Sequence, residues 1–460
     1  MSTASTSTGT IPAVPALRNR QQLAWGIVLL CFSVFCVMAA LALVGLHYFV
    51  FQSTIPMRAQ LQVSRATASL ISADLIEQAV RNERNLGSGD VVATPQSQAQ
   101  ITFRDPNQDS LVVARVIVKD GAAVVVRYFV RPRFDWSSES YSVYLDDLTG
   151  ELDVEITEGL SRVVTVIIET RNGARVFLEA PGRYSIAVGD AHLQVVNYEG
   201  SARLVTADQR PFPIPAAQQG MSSLEDPSQF YYAPALVNVL GAATFSSDNV
   251  LDYNTASDQA SPSIWRCSSL QDSGPVGRFE LITEDGFPAL QLFRGENAES
   301  HGETRCIQLF YGNEGVDVSS FRHISVRVTF KIRSHSLNLC GVDGSECPLM
   351  MRMEFNTAGN SEIQHWIHGF FTHEDPIVSD YPPLCDTCIE RHEMINPDRW
   401  YTYESDNLLP TLELLGKRPV SLLNMRFYAS GHQYDVLVRK VELLVDQTIA
   451  PIPTTEEQGG

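Results

Sequence analysis

The residues with chemical potential crowd the distal half of the chain. Six of the eight cysteines lie there: Cys267, Cys306, Cys340, Cys347, Cys385 and Cys388. Cys340-x6-Cys347 and Cys385-x2-Cys388 supply four thiolates, the right number for tetrahedral zinc, but paired zinc ligands usually sit about two to four residues apart, and x6 is loose. In an oxidising compartment the same residues form disulfides. Disulfides are the expectation, paired 267–306, 340–347 and 385–388, with zinc or free thiols as the alternatives. A second cluster runs Ile363-Gln364-His365-Trp366-Ile367-His368-Gly369-Phe370-Phe371-Thr372-His373. As a strand it buries alternate aromatics in a core. It also admits a functional reading, in which Trp366 shares an open sheet face with Tyr401, Tyr403 or Trp265 and stacks on sugar rings. His365, His368 and nearby acids would then bind hydroxyls. A histidine metal site fits poorly, because His365 and His368 point to opposite faces of a regular strand.

Catalytic signatures are missing from the sequence. There is no G-x-S-x-G elbow, no Walker A loop and no G-x-G-x-x-G. His392-Glu393-Met394-Ile395-Asn396 lacks the second histidine of H-E-x-x-H, and so lacks the two same-face ligands that zinc requires. The expectation is a protein that is not an enzyme and carries no cofactor or metal. With 34 basic and 53 acidic residues the net charge is −19. Phosphate polymers are repelled by such a surface, so nucleic acid is excluded as a partner.

The elements that position these residues begin with a membrane segment. From Leu23 to Phe51 the chain contains no Asp, Glu, Lys or Arg. That exceeds the ~20 apolar residues needed to span a bilayer, and the ~7–15 of a signal-peptide core. Arg18 and Arg20 precede it without an acid, which suits a cytoplasmic tail. Together with the distal cysteines, this places residues 1–22 inside and everything after Phe51 outside. Between Arg58 and Arg81 the residues Leu61, Ala68, Ile71, Leu75 and Ala79 recur at helical spacing, predicting a helical stalk over 52–84. From Gly89 onward strand runs alternate with turn signals: Asp120-Gly121, Asn172-Gly173, Pro181-Gly182, Gly189-Asp190 and Glu199-Gly200. That cadence is all-β. A proline-rich linker over 223–238 follows, then a β-sandwich over 239–449 and a disordered tail over 450–460. Ile324, Val326, Val328, Phe330 and Ile332 alternate with Ser325, Arg327, Thr329 and Lys331, which predicts one face on a core and the other in water.

The runs Val176–Leu178, Tyr184–Val188 and Leu193–Val205, with the later Ala216-Ala217-Gln218-Gln219-Gly220-Met221, resemble the extracytoplasmic β-domain of the FecR family over about residues 85–222. The resemblance implies a transmembrane regulator that signals through a protein partner, although 22 residues inside are too few for a sigma-factor-binding module. The closing run Gly431-His432-Gln433-Tyr434-Asp435-Val436-Leu437-Val438-Arg439-Lys440-Val441-Glu442-Leu443-Leu444 resembles the last strands of galactose-binding-like, carbohydrate-binding jelly rolls. Such a likeness gives a fold before it gives a function. The whole sequence therefore predicts an all-β protein with one N-terminal transmembrane helix, a FecR-like β-domain and a C-terminal antiparallel jelly roll. Its expected role is non-catalytic extracytoplasmic recognition or scaffolding with a polysaccharide or other cell-envelope ligand; a transmembrane sensor acting through a partner, or a glycan-processing enzyme, are the alternatives.

Overall fold

The apolar run folds as a single helix, Arg18–Phe51, in a computed structural model that describes residues 18–253, 263–295, 297–310, 315–337, 339–341, 343–373, 385 and 388–446. Gln22–Phe51 is long and apolar enough to cross a membrane. This helix, the residues that follow it to Ile55 and Pro132–Glu139 form one compact unit, and the remaining described residues form a second. The expected disordered tail, 450–460, lies outside the described residues.

The second unit begins with strands where a stalk helix was expected. Arg58–Arg65, Ala68–Ile71, Glu77–Val80 and Glu83–Asn85 are all extended. Ala59, Leu61 and Val63 are buried while Gln60 and Gln62 are not, a period of two that the wider helical spacing masks. Arg58–Arg65 is laddered to Gln98–Asp105, with Leu61 opposite Ile101. The first β-domain therefore starts near Pro56 rather than residue 85. Its central strand, Tyr141–Ile156, pairs in parallel with Val164–Thr170 and then antiparallel with Gly182–Val188. The switch occurs around Asp147–Gly150, where Gly150 has φ +76° and a Cβ would lie 2.6 Å from Ala122 Cα. Asn172-Gly173 and Gly189-Asp190 close hairpins. Asp120-Gly121 instead joins Gln108–Val118 and Ala123–Pro132, which both ladder to the central strand Tyr141–Ile156 and otherwise pair with Gln98–Asp105 and Asp90–Ala93 respectively. The expected linker is also partly strand: Phe230–Pro234 pairs with Gln218–Ser223 and completes the first domain.

The distal residues form a sandwich of two mainly antiparallel sheets. One runs in the order Arg278–Glu284, Phe287–Arg294, Tyr434–Val445, Ile324–His335, Tyr401–Glu404. The other contains Trp265–Gln271, Gly302–Leu309, Pro419–Gly431, Leu349–Thr357 and Asn360–Phe371. Their inner faces meet through Trp265, Phe330, Phe355, Trp366, Phe370 and Phe427, all fully buried. Ile324–His335 alternates as predicted, but its polar face is not in water: Arg327 is 4% and Lys331 6% exposed. The first β-domain covers that face. Gln98 Nε2 donates to Thr402 O at 2.8 Å, Arg183 Nη1 to Glu442 Oε1 at 2.6 Å, and Lys119 Nζ to Glu404 Oε2 at 3.0 Å. Asn396 fastens a second point, its side chain donating to the carbonyls of Val63, Ala66 and Arg81. Buried charges persist here because each is paired, Lys331 with Glu284 and Arg327 with Glu404 inside the sandwich, and Glu442 with Arg183 across the interface.

Candidate functional site

The junction of the two β-domains leaves a cleft. One part, of about 470 Å³, lies against the edge strand Tyr401–Glu404 and is lined by Tyr401, Tyr403, Glu404 and Asp406 from the sandwich. Arg65, Gln98, Lys119, Asp120 and Glu151 line it from the first domain. A neighbouring part of about 650 Å³ shares Arg65, Asp120 and Glu393 with it and reaches His368, Arg391 and His392. Local sequence explains the sandwich side: Glu393–Met394 adds as a short parallel strand beside Phe370–Phe371, carrying Glu390 to Glu393 to the rim. Asp120 is presented by the Asp-Gly turn and is exposed.

Glu393 is the hub. Its Oε1 accepts from Tyr401 OH at 2.6 Å and pairs with Arg65 Nη1 at 2.8 Å. Burial raises its pKa against the opposing pull of those two partners. Glu390 is also held above the usual carboxylate range, by burial and then by the nearby Asp406. Between them stands His368, with Nδ1 3.7 Å from Glu390 and Nε2 4.0 Å from Glu393. Its ring lies flat on Tyr403 at 4.6 Å between centroids. Neither ring nitrogen has a hydrogen-bond partner among the described residues, and burial, with His392 nearby, pushes the imidazole down to about 3. Glu404 is the opposite case: burial would raise it, but Arg327 and Lys119 pull it down to about 2. The cleft thus offers protonatable and ionised carboxyls, two tyrosines and cations within one polar wall.

Four of the cysteines, Cys340, Cys347, Cys385 and Cys388, gather around His392 of this wall. Cys267–Cys306, Cys340–Cys347 and Cys385–Cys388 are disulfides, the first joining directly opposed strand residues. His392 forms one ligand-like triad with Cys340 and Cys347 and another with Cys385 and Cys388, each with its atoms within 4.8 Å. Disulfide sulfurs offer no thiolate, and both ring nitrogens are engaged. Gly369 N donates to Nδ1 at 2.9 Å, so Nε2 carries the proton that faces Gly344 O at 2.7 Å. In this state the cluster clamps residues 388–393 onto the sheet rather than presenting a metal site.

The sequence-derived site residues divide. His368, Tyr401 and Tyr403 come together at the cleft. Trp366 and Trp265 are fully buried, so neither can stack on a sugar, and the expected open aromatic platform is replaced by core packing. His365 lies on the other side of its strand, opposite Glu354 and beside Arg352. Sequence reasoning missed Arg65, Lys119, Asp120, Glu390 and Glu404, which come from three segments far apart in the chain. The one available signal was an acid-Gly turn whose aspartate reaches the cleft.

No family model matches the chain, and no curated protein matches it. Among solved structures the chain is similar to a candidate anti-sigma factor from Parabacteroides distasonis, at 13% identity over 32% of this chain and 72% of that one, with a TM-score of 0.20. It is also similar to a family 11 carbohydrate-binding module of a cellulosomal cellulase of Clostridium thermocellum, at 8% identity over 39% and 87% of the two chains, TM-score 0.24. A family 30 carbohydrate-binding module of the same organism aligns at 12% identity over 38% and 96%, TM-score 0.22.

Proposed function

We propose that this is a membrane-anchored, non-catalytic recognition protein whose two β-domains face the extracytoplasmic side and take up a carbohydrate in the cleft between them. The observation that carries this reading is the lining: Tyr401 and Tyr403, the carboxylates of Asp120, Glu151 and Asp406, and the cations Arg65 and Lys119 converge on one concave polar space. Hydroxyl-rich ligands are held by such convergent donors and acceptors, the charged ones forming the stronger hydrogen bonds. A fully apolar ligand would leave those groups dehydrated and unpaired. The uncharged helix and three disulfides support an anchor with the β-domains outside.

The test is a glycan array probed with the detergent-solubilised chain, followed by the Asp120→Asn variant. Asp120 is exposed and lines both parts of the cleft, so its loss should spare the fold and weaken binding roughly tenfold, the scale of one charge-assisted hydrogen bond. Binding unchanged in Asp120→Asn contradicts the site. Release of reducing ends from a bound glycan contradicts the non-catalytic reading.

A further inference from the structure

The last turn of the apolar helix ends in an unusual way. A helix leaves its final carbonyls without intrahelical donors, and such groups are costly where water is scarce. Here four consecutive carbonyls are all satisfied. Gln52 N donates to Tyr48 O at 2.8 Å, and Ser53 Oγ to Phe49 O at 2.5 Å. The next two partners come from a loop some eighty residues later in the chain. Trp136 Nε1 donates to Val50 O at 3.3 Å, and Ser137 Oγ to Phe51 O at 2.5 Å. Arg133 N donates to Ser53 O at 2.9 Å and fixes the loop's entry.

The same loop carries aromatic side chains. Phe134 meets Phe49 edge-on at 5.6 Å, Trp136 stacks on Phe134 at 4.6 Å, and the Arg133 guanidinium lies 5.5 Å from the Phe49 ring. Trp136 nonetheless leaves 64% of its surface exposed. A large indole that spends its N–H on a helix-end carbonyl while turning its body outward matches the residue type found at membrane–water boundaries.

We propose that the loop Pro132–Glu139 is an interfacial membrane contact that caps the exit of the spanning helix and buries Trp136 beside it at the headgroup level. The inference rests on the anchor reading above. Its occupant is the bilayer rather than a protein, because the aromatic surface is continuous with the end of a helix whose own length is apolar and exposed. Arg133 is outnumbered by Asp135 and Glu139, so the loop carries no net positive charge and needs no anionic lipid.

The experiment uses the full chain in phosphatidylcholine nanodiscs carrying a quencher at the headgroup or deep in the acyl region. Trp265, Trp366 and Trp400 are buried, leaving Trp25 and Trp136 for lipid to reach. Headgroup quencher should therefore remove emission of which about half is lost in Trp136→Phe. Adding phosphatidylserine or salt should not change that share. Equal quenching in wild type and Trp136→Phe overturns the contact and leaves a protein partner as the occupant; so does a requirement for anionic lipid. Ser137→Ala, which keeps the indole but removes one cap, should retain the headgroup quenching, and its loss there would make the effect one of folding. Mass measurement of the mature chain separates the premises: a chain lacking the helix overturns the anchor reading together with the loop contact, whereas a retained helix with an unquenched Trp136 overturns the loop contact alone.

Discussion

Glu404 couples the two β-domains, and replacing it with glutamine isolates its charge. Its Oε2 accepts from Arg327 Nη2 at 2.7 Å within the sandwich and from Lys119 Nζ at 3.0 Å in the first domain. Those cations hold its carboxyl at about 2, against an ordinary 4.5. A depression of that size corresponds to roughly 3 kcal/mol of stability at neutral pH. About a fifth of the side chain reaches water, at 22%. Lys119 also keeps Glu151 at 2.6 Å. Screening and that remaining partner reduce the expected loss in Glu404→Gln to about 2 kcal/mol. The sign follows from linkage. A carboxyl depressed in the folded state contributes fully above 4.5, and its contribution fades as pH falls from there toward 2. Urea unfolding of the solubilised chain, followed by tryptophan emission, should therefore show a gap of about 2 kcal/mol at pH 7 that narrows between pH 4.5 and 3. A gap below about 0.5 kcal/mol at pH 7 would refute the reasoning, as would one that stays constant down to pH 3.

Two further predictions concern the buried strand behind the cleft. Trp366→Ala should cost about 3–5 kcal/mol through the cavity left by a fully buried indole, while the residual folded protein binds ligand as before; thermal unfolding and binding measured together check both halves. Gly369→Ala should cost about 1–3 kcal/mol, because a Cβ there would lie 2.4 Å from Cys347 Sγ, 2.6 Å from Met350 Sδ and 2.9 Å from His392 Nδ1, and a melting temperature equal to wild type would show the cluster to be looser than described.

How much of this was legible in the sequence depended on the range of the interaction. The apolar helix and the β character of the chain follow from local patterns, uncharged length in one case and turn cadence in the other. The strand Arg58–Arg65 was misread because Leu61, Ala68, Ile71 and Leu75 imitate a helical stripe, although Leu75 proves 86% exposed, at φ +62°. Short apolar spacings do not distinguish the two periods when strands are brief. Alternation places Arg327 and Lys331 on the face away from the sandwich core, as observed, but the expectation of water there fails, since alternation gives a face and not what covers it. The site residues show the same divide. His368, Tyr401 and Tyr403 were found because they cluster in sequence near other aromatics. Arg65 and Glu393 meet at 2.8 Å across more than three hundred residues, and no local pattern encodes that pairing.

The central claim is that ligand enters the junction between the domains. Hydrogen exchange of the full chain, with and without the glycan it binds best, tests this most directly. The account predicts added protection confined to the segments around Arg65, Gln96–Gln98, Lys119–Asp120, Glu390–Met394 and Tyr401–Asn407. Protection centred instead on the outward face of the other sheet, around Arg352, Glu354 and Arg426, with the junction unchanged, would contradict it.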